Sequence, residues 1–248
     1  MTNDILSHFD DFSRRTRALP GLWAVAPIGI AGAVLAPKGP QVALFPILVA
    51  SGFVVLLAIV VRNLGRDLEV RLVRDWNGMP TTHMLRHSEA GNLAVFTRRR
   101  KALELLYGAT LPTKRQEQVN PASADELYVA ATRHLINRVR ARKDEFPLVR
   151  RELIAYNRAR NMLALRPYAL VIVGVAAAID YYAWNSNGTS GAWWLVVAAH
   201  AVLLGMWLFF VREYWVRQTA DTYAERLFEA LDLMATSNPP EAAKDAAT

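Results

Sequence analysis

Apolar and polar positions along this chain are segregated on two length scales. On the longer scale there are four apolar runs, at about 19–36, 42–61, 167–184 and 192–211. Each is close to the length that crosses roughly 30 Å of hydrocarbon at about 1.5 Å rise per residue. On the shorter scale the intervening segments repeat apolar residues at helical spacing. Leu64, Leu68, Leu72 and Trp76 carry the second run past its apolar end, Leu127, Ala130, Ala131, His134, Leu135 and Val139 mark another stripe, and Val216, Ala220, Tyr223, Leu227, Ala230 and Met234 a third. No segment alternates as a strand would. The pattern predicts an all-α integral membrane protein: four transmembrane helices in two hairpins, an all-α cytoplasmic domain inserted between helices 2 and 3, and a C-terminal cytoplasmic helix. The expected divisions are an arm over 1–18, hairpin one over 19–61, the inserted domain over 62–166, hairpin two over 167–211, the terminal helix over 212–236 and a disordered tail over 237–248.

Local signals refine these elements. Ile5, Leu6, Phe9 and Phe12 predict a short interfacial helix, and Pro37 after Ala36 argues against signal-peptide cleavage of the first run. Pro27, Gly29 and Gly32 predict a kink or a close helix contact in the first span. Trp76-Asn-Gly-Met-Pro80 ends the extended second helix, with Thr81 or Thr82 as the next cap. A short helix is expected over His83 to Glu89, a second over Thr97 to Tyr107 ended by Gly108, and a loop from Thr110 to Lys114. A capping box at Ser123-Ala-Asp-Glu126 opens a helix to about Lys143, and another from Pro147 runs through Leu165 to Pro167, joining the third span.

Charge gives these elements an orientation. Residues 62–166 hold 21 of the 29 lysines and arginines against 11 acidic residues, about +10 by themselves. The connections at 37–41 and 185–191 hold one basic residue, Lys38, so the positive-inside bias places both termini and the inserted domain in the cytoplasm of a bacterial inner membrane. Cysteine is absent, which excludes disulfides and thiolate chemistry.

Three groups of residues are candidates for chemistry. Arg98, Arg99, Arg100 and Lys101, with Arg138 and Arg142, are dense enough to bind phosphate, because guanidinium donates bidentately and clustered charge concentrates anions; contact with anionic lipid heads explains the same charges. Thr81, Thr82 and Arg86 read either as a phosphate cradle at a helix start or as a bare turn and cap. His83 and His87 share a helical spacing with Glu89 nearby, but no third ligand is clear and no metal or other cofactor is expected. Asp180 and His200 lie at comparable depths in the third and fourth spans, where ionisable groups face a bundle interior or an aqueous path and where the two can pair; plain interfacial exposure of Asp180 and a neutral His200 bonded to a neighbouring helix explain the same residues. No carboxylate pair, nucleophile motif or complete metal set is present, so an enzyme is not expected.

The motifs Trp76-x-Gly-x-Pro-Thr-Thr-x-x-Leu-Arg86, Phe146-Pro-Leu-x-x-x-Glu152, Asn157-x-x-Arg160-Asn161 and Leu165-x-Pro167, with the span layout, resemble the transmembrane effectors of Hailong-type bacterial antiviral systems. The resemblance implies a homotetrameric ion channel in antiviral defence. Its state would be set by a single-stranded DNA oligomer or nucleotide second messenger, made by a nucleotidyltransferase encoded nearby. No binding residue carries over by motif, and the arginine clusters are ligand candidates by charge alone.

Overall fold

A computed structural model describes residues 11–35, 54–187 and 193–237, and every regular element among them is helical. In order, the elements are a π-helical turn Arg14–Ala18 leading into α1 (Leu19–Leu35), then α2 (Val54–Asp75), α3 (Pro80–His83), a 3-10 turn His87–Glu89, α4 (Leu93–Tyr107), α5 (Lys114–Val119), α6 (Pro121–Ala141), α7 (Pro147–Asn187), α8 (Trp193–Gly205) with a π-helical turn Met206–Phe210, and α9 (Glu213–Ser237). The chain divides into two compact units. One comprises residues up to Leu72 with Ile154–Arg217, the other Val73–Leu153 with the chain from Gln218 onward.

Two helical stretches, Pro147–Asn185 and Trp193–Phe210, are long and apolar enough to cross a membrane. The first apolar run is helical as α1, and the interfacial helix expected over 1–18 is helical from Asp11 to Ala18, while its residues 1–10, 42–53 of the second run, the turn at 37–40 and the tail from 238 lie outside the described residues. The expected extension of the second helix is present: α2 continues from its apolar start to Asp75. It stops where Asn77 (φ 57°) and Gly78 (φ 122°) adopt left-handed backbone, a conformation that glycine takes without steric cost. The helix from Pro147 also runs on through Pro167 to Asn187.

Several local expectations are corrected. The helix foreseen over His83 to Glu89 is two short pieces, because Arg86 is extended (ψ 136°) and breaks the helical path. Neither Thr81 nor Thr82 caps α3, whose first position is Pro80 after an extended Met79; both threonines are buried. The capping box is at Thr113 and Gln116, opening α5 inside what reads as a loop, and the helix assigned to Ser123 starts earlier at Pro121, where Asn120 Oδ1 accepts from the Ser123 amide. Proline at the first helical position needs no amide partner, which is why this earlier start is stable.

Within the unit containing Val73–Leu153, Leu103, Tyr128, Leu135, Leu227 and Leu231 form the fully buried centre of an apolar core. The stripe on α9 therefore has a partner, and its Asp232 accepts from Arg98 Nη2 at 2.8 Å. In the other unit, Val61, Ala169, Val173, Trp207 and Val211 form a second core. There α7 and α8 are antiparallel: Trp184 stacks on Trp193 at 4.9 Å between centroids, and Asp180 lies against His200.

Candidate functional site

Among the described residues, the unit of apolar helices holds a buried ionisable pair on α7 and α8. Asp180 and His200 are each 4% exposed, with Asp180 Oδ2 and His200 Nδ1 3.0 Å apart. The separation is that of an ion pair, but the angle does not make a hydrogen bond, and neither carboxylate oxygen has a hydrogen-bond partner among the described residues. The other ring nitrogen, Nε2, is 3.4 Å from the carbonyl oxygen of Pro27 on α1. Three helices thus meet at one imidazole: the two residues that the sequence sets at comparable depths lie side by side, and the Pro27 carbonyl is a third member.

A second polar cluster in the same unit was not foreseen. Glu69 on α2 accepts from Arg160 Nη1 and from the Tyr156 hydroxyl on α7, each at 2.7 Å. Next to it Asn161 Nδ2 donates to the Thr16 carbonyl at 2.6 Å, tying the π-helical turn before α1 to α7. Burial and the neighbouring Glu69 carboxylate push the Tyr156 phenol well above its usual pKa, so it stays a donor. Gly65 makes this possible: a Cβ there would stand 1.9 Å from Asn161 Oδ1. The available signal in the sequence was a glycine inside a helical pattern, which costs about 1 kcal/mol against alanine and asks for a packing reason. Beside this cluster Arg17 is held below the usual guanidinium pKa by burial and by the like charges of Arg62, Arg160 and Arg66, and Arg62 and Arg66 are exposed.

In the basic unit the sequence candidates separate into buried and exposed groups. Arg100 is 7% exposed and donates to the Leu85 carbonyl, the Pro112 carbonyl and the Tyr128 hydroxyl. Tyr128 in turn donates to Glu117 at 2.7 Å, and Glu117 also accepts the His87 and Ser88 amides. Burial pushes the Glu117 carboxyl up, but these donors outweigh it and hold the carboxyl below its usual range, while burial and Glu117 push Tyr128 up to about 12. Arg86 is buried as well, gripping Asp125 through Nε and Nη2, Glu89 through Nη1 and the Asn77 carbonyl, with Asp125 foremost in raising its pKa. Thr81 and Thr82 are buried beside it in sequence. These four side chains of the candidate set are engaged in or enclosed by the fold.

Arg98 and Lys101 are exposed, and with Leu93, Thr97, Leu105 and Ala235 they line an open groove of about 810 Å³. Arg99 is half-buried, its guanidinium 4.6 Å over the Phe228 ring. Arg138 and Arg142 are exposed near the end of α6. The two clusters are not one patch. α4 and α6 run parallel, with Arg100 on Tyr128 and Tyr107 against His134, so Arg138 stands about 15 Å along the axis from the level of Arg100. His83 and His87 also diverge, His83 to Glu89 and the Gly78 carbonyl, His87 to the Pro112 carbonyl, and among the described residues no three His, Asp or Glu side chains group to hold a metal.

Comparison with protein-family models, with curated proteins and with solved structures gives no match.

Proposed function

We propose that the chain is a membrane-embedded effector: four helices span the bilayer in two hairpins, copies of the chain assemble, as a tetramer by the family resemblance, around an ion-conducting path, and a nucleotide or single-stranded DNA oligomer bound to the basic unit sets its state. The observation that carries this reading is the Asp180–His200 pair, buried among the apolar stretches of three helices. Ionisable groups at such a depth are costly and belong to ion or proton pathways far more often than to plain anchors. The groove beside Arg98 and Lys101 supports the ligand half, because it joins two cations for phosphate to apolar residues on which a base can rest.

The deciding experiment is ion flux from liposomes holding the purified chain, with and without short single-stranded DNA. A flux that DNA raises or lowers supports the gated conductor. Folded, multimeric protein that passes no ions under either condition excludes it and leaves the second reading, an anchor that holds anionic lipid or a soluble partner. That reading is favoured by Arg17, Arg62 and Arg66, whose charges gather with no carboxylate within ion-pair distance among the described residues.

Oligonucleotide binding gives an independent check. Replacing Arg98 and Lys101 together with glutamine is expected to weaken binding and to flatten the slope of log affinity against log salt by about 1.4, at roughly 0.7 for each phosphate of a single strand that is no longer neutralised. An unaltered slope in a titration series removes the groove as the site.

A further inference from the structure

The contacts at His200 count protons. Nε2 faces the Pro27 carbonyl at 3.4 Å, and Nδ1 faces Asp180 Oδ2 at 3.0 Å. A carbonyl oxygen only accepts, so the first contact requires a hydrogen on Nε2. In a neutral imidazole that leaves Nδ1 bare, opposite a carboxylate oxygen. A bare, partly negative nitrogen then stands 3.0 Å from a carboxylate oxygen, a repulsive contact unless one further proton is present, either on the carboxyl or on the ring as imidazolium. The other neutral tautomer puts a positive N–H beside Asp180 but turns a bare Nε2 toward the carbonyl. With that proton both contacts are attractive. Without it, one of them is repulsive in every tautomer.

We propose that Asp180 and His200 form a single proton-binding site whose occupancy fastens α1, through the Pro27 carbonyl, to the α7–α8 pair. When the proton leaves to water, Asp180 is a carboxylate, the ring is neutral and takes its hydrogen to Nδ1, and the contact with Pro27 is given up. The ligand is the proton itself. A metal cation is a poorer fit, since one carboxylate and one carbonyl fall far short of the six oxygens that hard cations gather.

The surroundings isolate the titration. α1 has no ionisable side chain between Leu19 and Leu35, α2 has none from Val54 to Val61, and from Trp193 to Phe210 His200 is the only one. On α7 the neighbours are Tyr181 and Tyr182, both exposed, with Tyr168 and Arg166 far along the helix; Arg166 is about 20 Å from Asp180 at 1.5 Å per residue and donates to the Leu208 carbonyl. Pro27 lies inside α1 and leaves the carbonyl one turn before it without an amide donor, which loosens the helix at the place where His200 attaches. The site stands whether or not ions pass through the assembly.

The test is nitrogen-15 NMR of the full chain, labelled at its five histidines and held in lipid, recorded from about pH 5 to pH 10, with the His200 signals assigned by their loss in His200→Gln. At low pH Nε2 is expected to carry hydrogen and Nδ1 to be either protonated or hydrogen-bonded to a carboxylic acid. At high pH the hydrogen is expected on Nδ1, with Nε2 bare. Asp180→Asn, whose amide donates to Nδ1 at every pH, is expected to hold His200 in the Nε2–H form throughout. A low-pH spectrum with hydrogen on Nδ1 alone, or a His200 signal that does not change over the range, overturns the proposal on wild-type protein without reference to any variant. A pH-dependent change that persists intact in folded Asp180→Asn overturns the role of Asp180.

Discussion

Arg100→Ala is expected to lower the stability of the basic unit by about 2–4 kcal/mol, about 1–3 kcal/mol for a buried carbonyl left without a donor and about 1 kcal/mol for the further hydrogen bonds lost. The guanidinium joins three acceptors that come from separate loops: the Leu85 carbonyl after α3, the Pro112 carbonyl before α5 and the Tyr128 hydroxyl on α6. It also stands 5.3 Å from the Phe96 ring centroid and 5.4 Å from that of Tyr128. Its loss strands the Leu85 carbonyl, leaves the Pro112 carbonyl with His87 Nε2 alone, and removes the cation beside the Tyr128 hydroxyl. For a unit of this size each kcal/mol is worth about 4–8 °C, so the unfolding midpoint is expected to fall by at least about 8 °C. Arg98→Ala, on the exposed side of the same helix, is expected to change it by no more than the 0–1 kcal/mol of a surface ion pair. Equal midpoints for the two variants in thermal denaturation would show that the Arg100 contacts carry no stability. The comparison also separates the two uses of the basic run: oligonucleotide affinity in Arg100→Ala is interpretable only after its fold is checked, whereas Arg98 and Lys101 are accessible without that cost.

Gly65→Ala reverses the sign that helix propensity gives. In an exposed helix the change is worth about 1 kcal/mol in favour of alanine. Here the new Cβ would be 1.9 Å from Asn161 Oδ1, closer than any real Cβ contact, and a tight 3.0 Å from its Cγ. Asn161 has to turn away, giving up its donation to the Thr16 carbonyl and its acceptance from Arg160. Overpacking of about 1–3 kcal/mol together with about 1 kcal/mol for each hydrogen bond broken gives a net destabilisation of about 2–4 kcal/mol. The partner change Asn161→Gly opens the space, so the pair Gly65→Ala with Asn161→Gly is expected to be less unstable than the sum of the single variants, a coupling that a double-mutant cycle in thermal denaturation reads directly. Additive single effects would mean that Gly65 and Asn161 do not meet.

The sequence made the large periodic elements legible, and the reasons are physical. α2 beyond Val61, α7 across Pro167 and the stripe of α9 were readable because each buries one face at 3.6-residue spacing over many turns, and a long pattern averages out local exceptions. The pairing of Asp180 with His200 was legible from depth, since two positions in one hairpin have comparable heights. What resisted reading is tertiary. Arg100 and its neighbours Arg98 and Lys101 are one basic run in sequence, yet a single helical face buries only Arg100, and no one-dimensional pattern identifies which arginine of a run is turned inward. Glu69, Tyr156 and Thr16 were missed because their partners are 91, 87 and 145 residues away. The capping box was misplaced because Thr113-x-x-Gln and Ser123-x-x-Glu carry equal local signals, and Asn120 followed by proline outcompetes the second.

The tie between Asn161 and the Thr16 carbonyl also sets an order of events during synthesis. At about 5–20 residues per second, Thr16 is added to the chain roughly 7–30 s before the asparagine that holds it. The contact of Pro27 with His200 waits longer still, its members being 173 residues apart. For that interval α1 has none of its final polar partners and has to persist as an apolar helix, with a proline at its middle, on solvation by its surroundings alone. The newly made chain therefore passes through a stage in which its first helix is placed but not fastened, and a ribosome paused before residue 161 would hold it there.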